Sequence, residues 1–290
     1  MRGLAQEKPA YRRVGDKRII IWLFVFLCGC SKVTPYTKDV LLMDTFVRIE
    51  IVDNLPIGRK RQALDSAVAR MKELERRFDY FSEDSELSKL NSLKEGEKIS
   101  LSPEMGKVFR EAESLRKMTG GAFDIRGGPD KKINLGGIAK GFIVDEGIKV
   151  LKESGVKNAL INAGGDMYCM GEGASERGWK IGIRSPEDSR RIIARFTVRD
   201  KGTATSGEYE RPSHIIDPRR GLPVEKALRS VTVVAGDCIT ADGLATALYV
   251  LGPREGLSLI ERIDGAECFI IDNGDTHISE GFPQIALTNS

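Results

Sequence analysis

Five short runs in this 290-residue chain hold side chains whose types and spacing could do chemistry. The first is Asn134-Leu135-Gly136-Gly137-Ile138-Ala139-Lys140-Gly141. Two glycines open a helix, and a lysine falls in its first turn. Glycine lets backbone approach a ligand closely, and a helix N-terminus offers free N–H groups and partial positive charge, so the run suits a phosphate. It is neither a Walker A loop nor a complete GxGxxG, and a tight structural turn reads the same way. The second is Asp242 with Thr246, four apart on one helix face. A carboxylate and a hydroxyl so placed can hold a hard cation through oxygen. They can equally offset the helix dipole and bond back to a carbonyl.

The third runs from Gly202-Thr203-Ala204-Thr205-Ser206-Gly207 to Ser213-His214-Ile215-Ile216-Asp217-Pro218. Of the two histidines in the chain, His277 reads as an exposed turn residue. His214, near Asp217, suits acid–base work, phosphate binding or a structural hydrogen bond. No GxSxG elbow supports a serine hydrolase. The fourth is Asn162-Ala163-Gly164-Gly165-Asp166, where a buried strand ends in two glycines and an acid. Such strand ends often hold a ligand, or are simply turns. In the fifth, Thr119-Gly120-Gly121-Ala122-Phe123-Asp124, an aromatic and an acid follow a glycine stop.

The elements that must position these runs follow from periodicity. Val40–Val52 is rich in β-branched residues and reads as one strand. Arg59–Phe78 is a helix, with Leu64, Ala67, Val68, Met71, Leu74 and Phe78 recurring at three and four. A short helix is expected near Leu87–Asn91. Ser102-Pro103 starts another helix, as N-cap and first position, which stops at Gly120-Gly121. Lys132–Leu135 reads as a short strand, and Gly136-Gly137 opens a helix to about Ser154. Strands are expected at Asn158–Ala163, Met167–Met170, Trp179–Arg184, Ile192–Val198, Arg229–Ala235 and Glu267–Asp272. Gly202–Pro218 reads as a polar segment, and helices at Thr240–Leu251 and Glu255–Ile263. Strands and helices lack a regular βαβ alternation, which favours α+β over a Rossmann sheet.

Composition, 41% hydrophobic and 30% charged, fits a globular core and excludes disorder. Residues 1–29 carry six basic and two acidic side chains, a net of +4, which leaves −1 for the rest of a chain of formal charge +3. A basic nucleic-acid-binding protein is therefore disfavoured. Ile19–Leu27 is an apolar run of nine residues, too short for a bilayer span of about 20 but suited to a signal-peptide core. Leu27-Cys28-Gly29-Cys30 resembles the lipobox of bacterial lipoproteins. That implies removal of residues 1–29, lipidation of Cys30 and a tether over residues 30–39. Cys169, Cys238 and Cys268 lack metal-ligand spacing and read as buried small hydrophobes.

In their order along the chain, these runs resemble the ApbE family, the FAD:protein FMN transferases. The resemblance extends from Leu42-Met43-Asp44-Thr45 to about Gly252. It includes Phe81-Ser82, Ser85 to Asn91, GGAFD, GGIAKG, INAGGD, TSGEYER, HIIDP and ADGLATAL. It implies one domain over residues 40–290, with mixed sheets, flanking helices and an FAD site in a cleft between two lobes. It also implies magnesium, FAD as substrate, transfer of FMN to a Thr or Ser hydroxyl and release of AMP; some members hydrolyse FAD instead. Carried over by motif position, Asp242, Thr246 and the Gly137 carbonyl would hold magnesium, and Lys140 would meet flavin or phosphate. Met43, Phe81, Ala122, Phe123, Asp124 and Ile216 would line the FAD site. His214 and Asp242 would be the catalytic groups. The expected acceptor is a flavoprotein subunit of an extracytoplasmic electron-transfer complex, reached from a membrane-anchored lipoprotein facing the periplasm or the extracytoplasmic side.

The chain departs from the family pattern in four places. Asn134, assigned to the FAD site, stands where many members have Asp. Ala245 stands where some have a second acid, and Phe81 where Tyr or Trp is common. Only nine residues, Ile125 to Ile133, separate the AFD run from Asn134, where members usually carry several tens more.

Overall fold

The computed structural model describes residues 34–128, 131–175, 177–188, 190–207, 215–224, 228–273 and 275–287. The leader 1–29, Cys30 and His214 lie outside the described residues. No helix among the described residues is long and apolar enough to cross a membrane.

The chain opens with a hairpin of β1 (Tyr36–Leu42) and β2 (Thr45–Ile51), so the first strand begins inside the segment read as tether. The run read as one strand from Val40 is folded at Met43-Asp44, whose φ values of 53° and 55° give a tight turn between paired Leu42 and Thr45. Then come α1 (Ile57–Phe78), α2 (Glu86–Asn91), α3 (Pro103–Met118) and α4 (Ala139–Glu153). All six periodic residues of α1 are buried as predicted, and Ser102 caps α3 by accepting from the Met105 N–H at 3.1 Å. The strand expected at Lys132–Leu135 is absent. At Ile133 the backbone is satisfied by a side chain, Asn91 donating to its carbonyl and accepting its N–H, both at 2.8 Å, while the Asn134 N–H donates to the Ile125 carbonyl at 2.7 Å. Helix α4 begins at Ala139, three residues later than its glycine pair suggested.

Strands β3 (Ala159–Ala163), β4 (Asp166–Met170), β5 (Trp179–Arg184) and β6 (Ile192–Val198) follow as expected, but β7 (Lys201–Gly207) occupies the segment read as polar. After β8 (Ile216–Asp217), β9 (Leu222–Pro223) and β10 (Leu228–Ala235) comes α5 (Cys238–Ile260). The two helices expected here are both present within this element, separated where Gly252 leaves the helical region at φ 80° and ψ 174° ahead of Pro253. Strands β11 (Glu267–Asp272), β12 (Asp275–Ile278) and β13 (Ala286–Leu287) complete the described chain. His277 sits half-buried in β12 rather than in a turn.

The large sheet has the order β1-β2-β3-β4-β7-β10-β11-β12, a small one the order β13-β6-β5, and β8-β9 form a short ribbon. Every pairing among the described strands is antiparallel, and the α+β class with flanking helices stands as expected. Strand alternation gives the large sheet two apolar faces. One, carrying Val47, Ile49, Ile161 and Val233, packs on α1, α4 and α5. The other, carrying Cys169, Val234 and Phe269, packs on Trp179, Ile181, Ile183 and Phe196 of the small sheet.

Helices α4 and α5 cross closely at Gly141. A Cβ there would strike the Cys238 carbonyl, which is backbone and cannot step aside. Gly141→Ala is therefore expected to lower stability by about 1–3 kcal/mol, the cost of overpacking. Gly236→Ala, into open space, should stay near wild type. Paired thermal melts check this; equal midpoints for the two variants would contradict the crossing.

Candidate functional site

The N-terminus of α4 has no cap of its own: Ile138 precedes the helix and offers no side-chain bond. The Gly141 N–H donates instead to Asp242 Oδ2 of α5 at 3.0 Å. The arrangement is reciprocal. Asp145 of α4 accepts from the Cys238 and Ile239 N–H groups at the start of α5, each at 2.9 Å. Asp237 supplies the usual N-cap of α5 by accepting from the Thr240 N–H at 3.1 Å. Each helix thus lends the other a carboxylate placed four residues after a donating N–H: Asp145 after Gly141, Asp242 after Cys238.

This crossing fixes the expected cation site. Thr246 lies one turn beyond Asp242. A Cβ on Gly137 would stand 2.9 Å from Thr246 Oγ1 and 3.4 Å from Phe123 Cε2, so the Gly137 backbone lies against both side chains. Asp242, Thr246, Gly137 and Phe123 are therefore brought together as expected. Asp242 is buried, and its carboxyl is pushed above the usual range, first by burial and then by the Asp166 charge. Lys140 and the Gly141 N–H act the other way. Two carboxylates, Asp242 and Asp166, thus face one ammonium, an excess of negative charge that a divalent cation would neutralise. Among the described residues no group of three His, Cys, Asp or Glu could hold a metal. A carboxylate, a hydroxyl and a backbone carbonyl form an all-oxygen donor set, which fits magnesium and not zinc.

The neighbouring runs converge on this point. Lys140, in the first turn of α4, pairs with buried Asp166 at the start of β4. The Gly164-Gly165 turn before Asp166 lies against Thr45, which follows Met43 in the β1–β2 hairpin. Met43 is half-buried, and its N–H donates to Glu75. Asn134 shapes the approach to Gly137, its Oδ1 accepting from the Gly136 N–H at 2.8 Å. Ala122 and Phe123 are buried, and the Phe123 N–H donates to Thr119 Oγ1 at 3.1 Å. Asp124 accepts from the Arg126 N–H at 2.8 Å. The segment after the AFD run reaches the turn of the β8–β9 ribbon carrying Ile216, where Gly127 lies hard against Pro218. Arg219 holds that ribbon by gripping Asp217 through Nε at 3.0 Å and Nη2 at 2.9 Å.

Phe81 stands apart. It is 87% exposed and meets Tyr80 edge-on at 5.4 Å, with no recorded contact to the α4–α5 group. The group formed around α4 and α5 sits on the helical face of the large sheet, not between its two layers of strands. Sequence reasoning missed Asp145 and marked Asp166 as the acid of a strand end that holds a ligand or is simply a turn, without its lysine partner. The usable signal was the i,i+4 spacing that Asp145 shares with Asp242 relative to a helix start.

A glycine-paired helix start bearing a lysine, with a buried carboxylate one turn from a half-buried threonine, has the chemistry to accept a phosphorylated ligand and a hard cation. The family model described as the ApbE family matches residues 43–130 and 126–270, and the chain belongs to that family. The two matched stretches meet in the short segment Ile125–Ile133. The FAD:protein FMN transferase of Haemophilus influenzae is 27% identical over 336 aligned residues, covering 93% of this chain and 97% of the relative. That of Klebsiella pneumoniae is 35% identical over 161 residues, 52% of this chain and 49% of the relative. Among solved structures, the flavin transferase ApbE of Vibrio cholerae superposes with a TM-score of 0.78 at 25% identity, covering 86% of this chain and 98% of that one. The ApbE protein of Thermotoga maritima shares the fold, with a TM-score of 0.77 at 24% identity.

Reciprocal capping has a consequence for pH. Burial pushes the Asp145 carboxyl up from 3.8 to about 7, against the two N–H groups that lower it. The folded chain then keeps a proton that the unfolded chain has lost, so this group's contribution is best below about pH 4 and declines as pH rises to 7. The decline is on the order of 4 kcal/mol for this one group. Relative to wild type, Asp145→Asn should gain stability as pH rises from roughly 5 to 7.5, read by urea unfolding. A difference independent of pH would refute it.

Proposed function

We propose that this chain transfers FMN from FAD to a Ser or Thr hydroxyl of an acceptor protein, with magnesium, forming a phosphoester and releasing AMP. The observation that carries this reading is the placement of Asp242, Thr246 and Gly137 against the lysine-bearing start of α4. The names of the relatives and the family membership support it.

The chemistry is a displacement at the FMN-side phosphorus. The acceptor oxygen forms the new P–O bond, the phosphoanhydride bond to AMP breaks, and the hydroxyl proton leaves. Lys140 and the first turn of α4 would offset negative charge on the pyrophosphate. Asp242, Thr246 and the Gly137 carbonyl would hold magnesium, which when bound neutralises charge as AMP departs. Ala122, Phe123, Asp124, Met43, Phe81, Asn134 and Ile216 would contact FAD. His214 would take the acceptor proton or, when charged, stabilise the departing phosphate. The basic leader, its apolar core and Cys30 support display of this domain outside a membrane on a lipid anchor. The acceptor is then an extracytoplasmic flavoprotein subunit.

Incubating the domain with FAD, magnesium and an acceptor carrying a suitable Ser/Thr segment tests this. Wild type should add one FMN to the acceptor by intact mass and release AMP in step. Asp242→Ala should lose about 100-fold or more in rate, on the scale of removing one strong electrostatic contact. AMP without acceptor gain would replace the transferase by a pyrophosphatase. Unchanged transfer in Asp242→Ala would remove the cation site.

A further inference from the structure

Beyond this reading, though resting on it, the geometry points to Asp166 as a positioning residue for flavin transfer, acting through Lys140. Asp166 is 1% exposed, although it opens a strand next to a turn. Its direction is set locally. The two-residue turn Gly164-Gly165, with φ of 62° and 103°, closes the β3–β4 hairpin between paired Ala163 and Asp166. Strand alternation then places Asp166 on the same face as Tyr168 and Met170, which join the helix-side core. That face lies beneath α4, and there Asp166 Oδ2 accepts from Lys140 Nζ.

A lysine on the first turn of a helix is otherwise a long chain with several rotatable bonds. Here its ammonium is tethered from below, while about a third of the side chain stays exposed. The exposed part is open to solvent, where an anionic ligand could reach it; the buried carboxylate fixes where the charge stands. Asp166 also acts on Asp242 across the same space, so its charge is felt on both sides of the site. A purely structural ion pair has less reason to be built this way. Its buried half is costly to desolvate, and an apolar pair of similar volume would be at least as stable.

The test is a double-mutant cycle on Lys140→Met and Asp166→Asn. FAD affinity is read by flavin fluorescence with magnesium present, and FMN transfer in parallel. Lys140→Met should weaken FAD binding by 10-fold or more, and Asp166→Asn by several-fold. The double variant should be no worse than Lys140→Met, because Asp166 has nothing left to position. Asp166→Glu, which keeps the charge, should recover part of the affinity. If Asp166→Asn fails to fold, the comparison of Lys140→Met with the charge-free double variant still decides. Equal affinity supports the assignment, and further loss overturns it. Asp166→Asn binding FAD like wild type also overturns it. Should wild type bind FAD but modify no acceptor, the transferase reading fails while the affinity cycle still judges Asp166.

Discussion

Where α4 crosses α5, a buried carboxylate, Asp242, and a half-buried one, Asp145, each accept from backbone N–H groups of the opposite helix. Asp242 takes the Gly141 N–H, and Asp145 takes those of Cys238 and Ile239. A helix end leaves its first N–H groups without intrahelical partners, and a buried end must find them elsewhere. Here both ends pack against each other: α4 has no side-chain cap except Asp242 of α5, and α5 adds Asp145 of α4 to its own Asp237 cap. A buried carboxylate left without its donors would cost several kcal/mol, which makes the crossing one unit.

The site follows from that unit. Asp242 cannot rotate away from α4 without uncapping it, so the carboxylate is held at Gly141, one turn before Thr246, which itself lies against Gly137. The same crossing holds the first turn of α4 over β4, where Asp166 meets Lys140. The large sheet supplies a rigid floor: β3 and β4 carry Asp166 to the helical face, and the small sheet stiffens the other face. The family's chemistry asks for positive charge for a pyrophosphate and oxygen donors for a cation. Two helix starts, facing each other, place both within one small volume.

Much of this was legible in the sequence because it rests on local rules. The α1 stripe, the Ser102-Pro103 start and the glycine stop at Gly120 are set by periodicity and capping, and they stand where expected. The Asp242–Thr246 pair and the Gly137 turn were legible as separate pieces. What escaped depends on contacts distant in sequence. Val40–Val52 hides its turn because Met43, unlike Asp44, is not a typical residue for positive φ and no glycine follows. Residues 201–207 look polar because their small side chains leave room for α5, and only the sheet reveals a central strand. Residues 132–135 form no strand because their backbone partners, the Asn91 side chain at Ile133 and the Ile125 carbonyl at Asn134, lie outside any sheet, which the local sequence does not show. Asp145 escaped because its donors are 93 and 94 residues away.

The central claim is that the Gly141 N–H, in the first turn of a helix, is locked by a carboxylate of another helix. Hydrogen exchange of that single amide measures it most directly. The account predicts exchange only through global unfolding, as slow as the amides of buried β2, and loss of that protection in Asp242→Ala. Exchange of Gly141 in wild type at the rate of an open helix end, far faster than β2, would contradict it.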